Sequence, residues 1–168
     1  THDKMENKKT EIGNDLSCED IIRFPRIVMT LTVVIRKSVY DEITASDSFI
    51  FGSGNFLLGD IPRWYSAARM GKIHFLSDIT SVYRELENSA SHIKGFKNRY
   101  KFSVSAQGLR AYLCRRDNLS SDLSKLIEKR YANALLHHMV FNPNYKPIVP
   151  LLSNTYNLEL QLYKVRLL

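Results

Sequence analysis

Cysteine is scarce in this chain of 168 residues, which contains only Cys18 and Cys114. Two cysteines so far apart in the sequence exclude a disulfide framework, and they lack the clustered spacing of a zinc site. We expect both to be reduced thiols in a cytoplasmic protein, where a free cysteine behaves as a small apolar residue.

Long apolar runs are also missing. The longest, residues 27–35, is interrupted by Thr30 and Thr32 and has about half the roughly 20 residues that a membrane-spanning helix needs. Residues 1–14 are polar and charged, so we expect no signal peptide there. The sequence predicts a disordered tail at residues 1–17, a single globular domain at 18–168 and no membrane partner.

Catalytic and metal-binding patterns are absent as well. His137 and His138 are adjacent, so they point to different sides of a helix, whereas a metal pair on a helix needs a spacing of three or four. The glycines of residues 52–59 are not followed by the Gly-Lys-Ser/Thr of a phosphate loop. We therefore expect no enzyme, no metal, no cofactor and no small-molecule substrate.

Positive charge is abundant, and it is concentrated in one segment. The chain has 24 Lys and Arg against 17 Asp and Glu, a net charge of +7. Residues 94–116 contain seven cations and no acidic residue. They are Lys94, Lys97, Arg99, Lys101, Arg110, Arg115 and Arg116. Close cations repel one another, and a polyanion relieves that repulsion, so this segment favours nucleic acid over a merely solvated basic face.

Periodicity predicts an α+β fold. Helical spacing or capping residues predict helices at residues 38–43, 60–70, 77–93, 107–116 and 121–139. Alternation or β-branched residues predict strands at 26–36, 100–105 and 156–167. Asp117 and Asn118 are predicted to form the turn between the last two helices. The unit of interest is thus a strand, a short helix, a turn and a longer helix at about residues 99–139.

This unit resembles the ribbon-helix-helix family of DNA-binding proteins, over about a quarter of the chain. In that family two chains each donate one strand to a ribbon that lies in the major groove of DNA. The resemblance implies a homodimer in which Phe102 and Val104 pack onto the helices. It also implies DNA contacts by Arg99, Lys101, Ser103 and Ser105 on the ribbon, by Arg110, Arg115 and Arg116 on the first helix, and by Ser120 and Ser121 on a phosphate.

The function implied is a sequence-specific, duplex DNA-binding regulator of transcription that acts as a homodimer. In overall layout the chain is also similar to bacterial activators of conjugative-plasmid transfer genes. Residues 26–36 followed by a helix form a competing ribbon with a more apolar groove-facing surface. Two other functions stay open: an assembly protein with a basic docking surface, and an RNA or single-strand binder that uses Tyr100, Phe102 and flanking cations.

Overall fold

The structure is a computed structural model that describes residues 16–24, 28–76, 78, 81–82 and 95–151. Within these ranges it contains six α-helices, one short 3-10 helix and no β-strand. The elements are α1 (Cys18–Arg23), the 3-10 helix (Thr30–Thr32), α2 (Lys37–Ser46), α3 (Ser48–Phe51), α4 (Asp60–Met70), α5 (Phe96–Arg116) and α6 (Ser121–Met139). The predicted α+β class is therefore wrong, because this part of the chain is helical.

The two longest helices, α5 and α6, form an antiparallel hairpin with the most extensive helix–helix contact of the fold. The predicted turn between them is confirmed, and Asn118 adopts the left-handed conformation with a φ of 49°. The helix predicted at residues 121–139 is confirmed with the same bounds. Its apolar stripe is buried as expected, with Leu123, Ile127 and Leu135 fully inaccessible to solvent.

The strand predicted at residues 100–105 is wrong, because these residues lie inside α5. The helix predicted at 107–116 begins much earlier, at Phe96. Val104, Gly108 and Ala111 recur at helical spacing and are all buried. A Cβ atom at Gly108 would lie 3.2 Å from a ring carbon of Tyr131 on α6, so α5 packs there at very short range. Close packing along a whole helix face outweighs a local alternation of six residues.

The strand predicted at residues 26–36 is also wrong over the portion that the structure describes, which begins at residue 28. This portion contains the 3-10 helix, and the Thr32 hydroxyl donates a 2.7 Å hydrogen bond to the Met29 carbonyl. Leu31 is 41% exposed and Val34 is 98% exposed. A strand needs a neighbour for its backbone hydrogen bonds, and no strand occurs in the described ranges to provide one.

The smaller helices pack against the hairpin. The helix predicted at residues 60–70 is confirmed as α4, with Gly71 at its C-cap, and the predicted turn at 38–43 is part of the longer α2. Helix α4 packs against α1 and α2, and α1 also contacts α6. The Tyr65 hydroxyl on α4 donates a 2.7 Å hydrogen bond to the Asp117 carboxylate, which ties α4 to the turn of the hairpin.

Some predictions concern parts of the chain that the structure barely describes. The tail at residues 1–17, the helix at 77–93 and the strand at 156–167 fall almost entirely outside the described ranges. In the ranges that are described, no helix combines the length and the apolarity that crossing a bilayer requires.

Candidate functional site

Arg110, one of the predicted DNA-binding residues, lies in the interior and is only 3% exposed. Its Nε donates to the Ile22 carbonyl at 3.2 Å, and its Nη1 donates to the Ala106 carbonyl at 3.1 Å. Burial, together with the nearby charge of Arg130, lowers the pKa of Arg110 to about 10, so it remains protonated at neutral pH. This guanidinium joins the end of α1 to α5 and leaves no surface for a phosphate.

Replacing Arg110 with methionine should therefore lower the free energy of unfolding by about 1–3 kcal/mol, because a buried carbonyl loses its donor. Urea denaturation measures this change, and Lys129→Met, at an exposed position of α6, is the matched control. An Arg110→Met protein of unchanged stability that has lost nucleic-acid binding would instead place Arg110 on a binding surface.

Arg115 and Arg116 are engaged in ion pairs within the chain. Arg115 pairs with Glu128 of α6. Arg116 pairs with Asp47 at 2.8 Å and with Asp117 at 2.7 Å. Burial by itself would lower the pKa of Arg116, but hydrogen bonds to Asp117 and Asp47 raise it above its usual value. These carboxylates neutralise the charge that the sequence places at the end of α5.

The predicted phosphate site at the start of α6 contains a carboxylate of the chain itself. The backbone N–H of Ser120 donates to Glu19 at 3.0 Å, and its hydroxyl donates to the same carboxylate at 2.8 Å. The backbone hydrogen bond, followed by the hydroxyl, lowers the pKa of Glu19. Ser121 is exposed beside it. A helix N-terminus attracts an anion, and here the anion that Ser120 binds is the Glu19 carboxylate.

The serines predicted to face DNA lie on different sides of α5. The Ser105 hydroxyl accepts a 2.7 Å hydrogen bond from the Leu57 backbone N–H and so holds the loop before α4. Ser103 is half-buried. Helical geometry turns Ser103 away from Lys101 and Ser105, whereas a strand would have presented all three on one face.

Three of the predicted cations remain exposed and without a carboxylate partner among the residues that the structure describes. They are Lys97, Arg99 and Lys101, in the first half of α5. Lys94 lies outside the described ranges. Residues 95–108 and 131–151, which include this end of the hairpin, contain no Asp or Glu at all. The charges of Lys97, Arg99 and Lys101 are therefore uncompensated among the described residues, whereas those of Arg115 and Arg116 are neutralised by carboxylates.

Aromatic rings from both helices lie at this same end of the hairpin. Phe96 and Tyr100 of α5 have ring centroids 6.5 Å apart, with planes inclined by 24°. Tyr100 in turn lies 5.2 Å from His137 of α6 and 5.8 Å from Phe141, at 20° and 23°. We call Phe96, Tyr100, His137 and Phe141 the aromatic strip. Its rings are nearly parallel and offset, with Tyr100 in the middle.

The aromatic strip adjoins these cations, and its rings are exposed except for Tyr100, which is half-buried. Phe96 is 64% exposed and Phe141 is 44% exposed. The Arg99 guanidinium carbon lies 4.8 Å from the centroid of the Phe96 ring, within the range of a cation–π interaction. Exposed rings of this size that do not pack into the core are characteristic of a binding surface.

Sequence reasoning identified only part of this surface. The sequence points to Tyr100 and Phe102 for a single-strand binder, but only Tyr100 belongs to the strip, and Phe102 is half-buried. The i, i+4 spacings of Phe96 with Tyr100 and of His137 with Phe141 were the signals available, once both segments are taken as helices. The contact of Tyr100 with His137 and Phe141 depends on the hairpin, so no pattern within either segment predicts it. The prediction that the two adjacent histidines point to different sides is confirmed, since His138 is buried and His137 is exposed.

No metal site accompanies the strip in the described part of the chain, where no three His, Cys, Asp or Glu side chains cluster closely enough to hold an ion. Comparisons with protein-family models, curated proteins and solved structures found no match for the chain.

Proposed function

We propose that this protein binds single-stranded nucleic acid, with bases stacked on the aromatic strip and phosphates bound by Lys97, Arg99 and Lys101. The observation that carries the proposal is a row of nearly parallel rings, exposed except for the half-buried Tyr100, beside uncompensated cations. Proteins that bind single strands combine these two features, because every base has a face that can stack and every nucleotide has a phosphate.

A single strand suits this surface better than a duplex. In a duplex the faces of the bases are covered by their neighbours, so exposed rings have nothing to stack on. Duplex reading through the major groove depended on a strand at residues 100–105, and this segment is helical. An unpaired strand can turn its bases onto Tyr100 and its neighbours while its backbone follows the cations.

The other expected properties stay predictions. The resemblance to the ribbon-helix-helix family implied regulation of transcription, a bacterial plasmid context and a homodimer. That resemblance depends on a ribbon strand, and the described residues contain no strand. A non-catalytic, cytoplasmic binder remains compatible with the proposal. An assembly protein that docks an acidic partner on Lys97, Arg99 and Lys101 is the main competing function, but it gives no role to the parallel rings.

Fluorescence anisotropy with a labelled single-stranded oligonucleotide tests the proposal directly. At about 0.15 M salt, the single strand should bind at least roughly tenfold more tightly than a duplex of the same sequence, because only unpaired bases can stack on the rings. A duplex that competes equally well would contradict the proposal and support the duplex regulator. Absence of binding to both would support the assembly protein.

The same titration at several salt concentrations measures the electrostatic part of the binding. Three phosphate contacts predict that log K falls with log salt with a slope of about −2, since each contact to a single strand contributes about −0.7. Arg99→Ala should make that slope less negative by about 0.7, because one phosphate contact is lost. Lys125→Ala removes an exposed cation from the opposite end of the hairpin and should leave the slope unchanged.

A further inference from the structure

A cavity of about 510 Å³ lies beside the aromatic strip. Three parts of the chain enclose it: the loop at residues 54–57, the α5 face that contains Lys97 and Lys101, and the segment from the end of α6 to residue 149. Its volume falls in the range of about 300–1,000 Å³ that is typical of small-molecule sites. Core residues close its floor, including Val104 and Tyr131, which are 2% and 1% exposed.

The charge inside the cavity has one sign. Lys97 and Lys101 lie one helical turn apart on the same face of α5, and like charges at this spacing repel each other. None of the described residues that line the cavity is acidic. An anion between the two ammonium groups would remove that repulsion, and a phosphate offers oxygens to both.

His138 adds a polar group with an unused bonding position. It lines the cavity, is 4% exposed, and its buried Nδ1 has no hydrogen-bond partner among the residues that the structure describes. Its Nε2 lies 3.5 Å from the Asn142 side-chain amide nitrogen, and its ring meets the Tyr145 ring edge-on at 4.5 Å. Burial, followed by the charges of Lys101 and Lys97, lowers the pKa of His138.

We propose that this cavity binds a nucleoside monophosphate, with the phosphate between Lys97 and Lys101 and the base beside the half-buried ring of Tyr145. The ligand is either a free nucleotide or the phosphorylated end of a strand. The second source rests on the proposed function, because Lys97 and Lys101 flank both the cavity and the aromatic strip. A strand on the strip thereby brings its last nucleotide to the mouth of the cavity.

Isothermal titration calorimetry with adenosine 5′-monophosphate tests the site, and adenosine is the matched ligand without a phosphate. The monophosphate should bind at least roughly tenfold more tightly, because the two lysines contact only the phosphate. Leu57 lines the cavity and is 53% exposed, so substitutions there are compatible with folding. Leu57→Glu places a carboxylate near the lysines and should weaken the monophosphate at least tenfold, whereas Leu57→Gln should not.

The pKa of His138 provides a second test of ligand binding in the cavity. A bound phosphate favours the charged imidazole, so the pKa of His138 measured by NMR should rise when adenosine 5′-monophosphate is added, and it should not change with adenosine. Equal affinity for the two ligands, or an unchanged pKa of His138 at saturating monophosphate, would overturn this inference.

Oligonucleotides with and without a 5′-phosphate distinguish the two sources. If the phosphorylated strand binds more tightly and Leu57→Glu abolishes this advantage, the cavity binds strand ends. If only the free monophosphate binds in the cavity, the ligand is a free nucleotide. A protein that binds unphosphorylated strands but no monophosphate contradicts only this inference. A protein that binds the monophosphate but no strand contradicts only the proposed function.

Discussion

Replacing Tyr100 with alanine should weaken the binding of a single-stranded oligonucleotide by about 10- to 100-fold, because stacking of one base on an aromatic ring contributes about 1–3 kcal/mol. Tyr100 is the central ring of the aromatic strip and contacts Phe96, His137 and Phe141. Its removal interrupts the row of rings, so more than one stacked base is affected. Anisotropy titrations at fixed salt measure the effect.

Two variants make this result specific. Tyr100→Phe keeps the ring and should retain most of the affinity, which separates stacking from hydrogen bonding by the hydroxyl. Phe75→Ala removes another exposed ring, 47% accessible and outside the strip, and should leave binding unchanged. If Tyr100→Ala binds as tightly as the wild type, with an unchanged melting temperature, the strip is not the platform on which bases stack.

Replacing Asp117 with alanine should lower the free energy of unfolding by about 3 kcal/mol, the lower end of the range for breaking a buried ion pair. The Asp117 carboxylate is 9% exposed and accepts hydrogen bonds from Tyr65, Arg116 and Arg69. Alanine leaves the buried Tyr65 hydroxyl without its acceptor. The value lies at the lower end because Arg69 and Arg116 reach solvent, at 45% and 28% exposure.

The contribution of Asp117 should also depend on pH. Burial by itself would raise the pKa of this carboxyl, but hydrogen bonds from Arg116, Arg69 and Tyr65 hold it well below its usual range. The unfolded chain takes up the same proton near the ordinary value of about 3.9. The stabilisation is therefore complete above about pH 5, and it is lost as the pH falls below about 4 toward the folded-state pKa.

Chemical denaturation of the wild type and Asp117→Ala at pH 7, 4 and 3 measures both effects. The difference between the two proteins should be largest at pH 7 and should narrow in acid. Asp41→Ala breaks an exposed pair with Lys37 on α2, and this control should change stability by no more than about 0.5 kcal/mol. A difference that is the same at pH 3 as at pH 7 would mean that Asp117 acts through packing and not through its charge.

The outcomes of the sequence predictions differ in a consistent way. The bounds of α4 and α6 and the turn at Asn118 were predicted correctly, because each depends on a local feature: an apolar stripe, a cap or a residue that tolerates positive φ. The two strands at residues 26–36 and 100–105 failed. Their β-branched or alternating patterns describe which faces are apolar, but a strand also requires a partner elsewhere in the chain.

The candidate site shows the same division. The sequence shows the excess of cations in residues 94–116, but it does not show which of them are free to bind a ligand. Arg110 is used by carbonyls of α1 and α5, and Arg115 and Arg116 are paired with carboxylates from α6, the turn and the residue before α3. Whether a charge is compensated depends on neighbours that the fold supplies.

The sequence by itself determined the long helix α6, its turn to α5, and a supply of positive charge without acidic residues at one end of that pair. Only the tertiary structure decided that Lys97, Arg99 and Lys101 stay exposed beside the rings of Phe96 and Tyr100. The physical reason is that periodicity and capping act between residues a few positions apart. Ion pairs, ring contacts and burial instead join segments that become neighbours only when the helices pack.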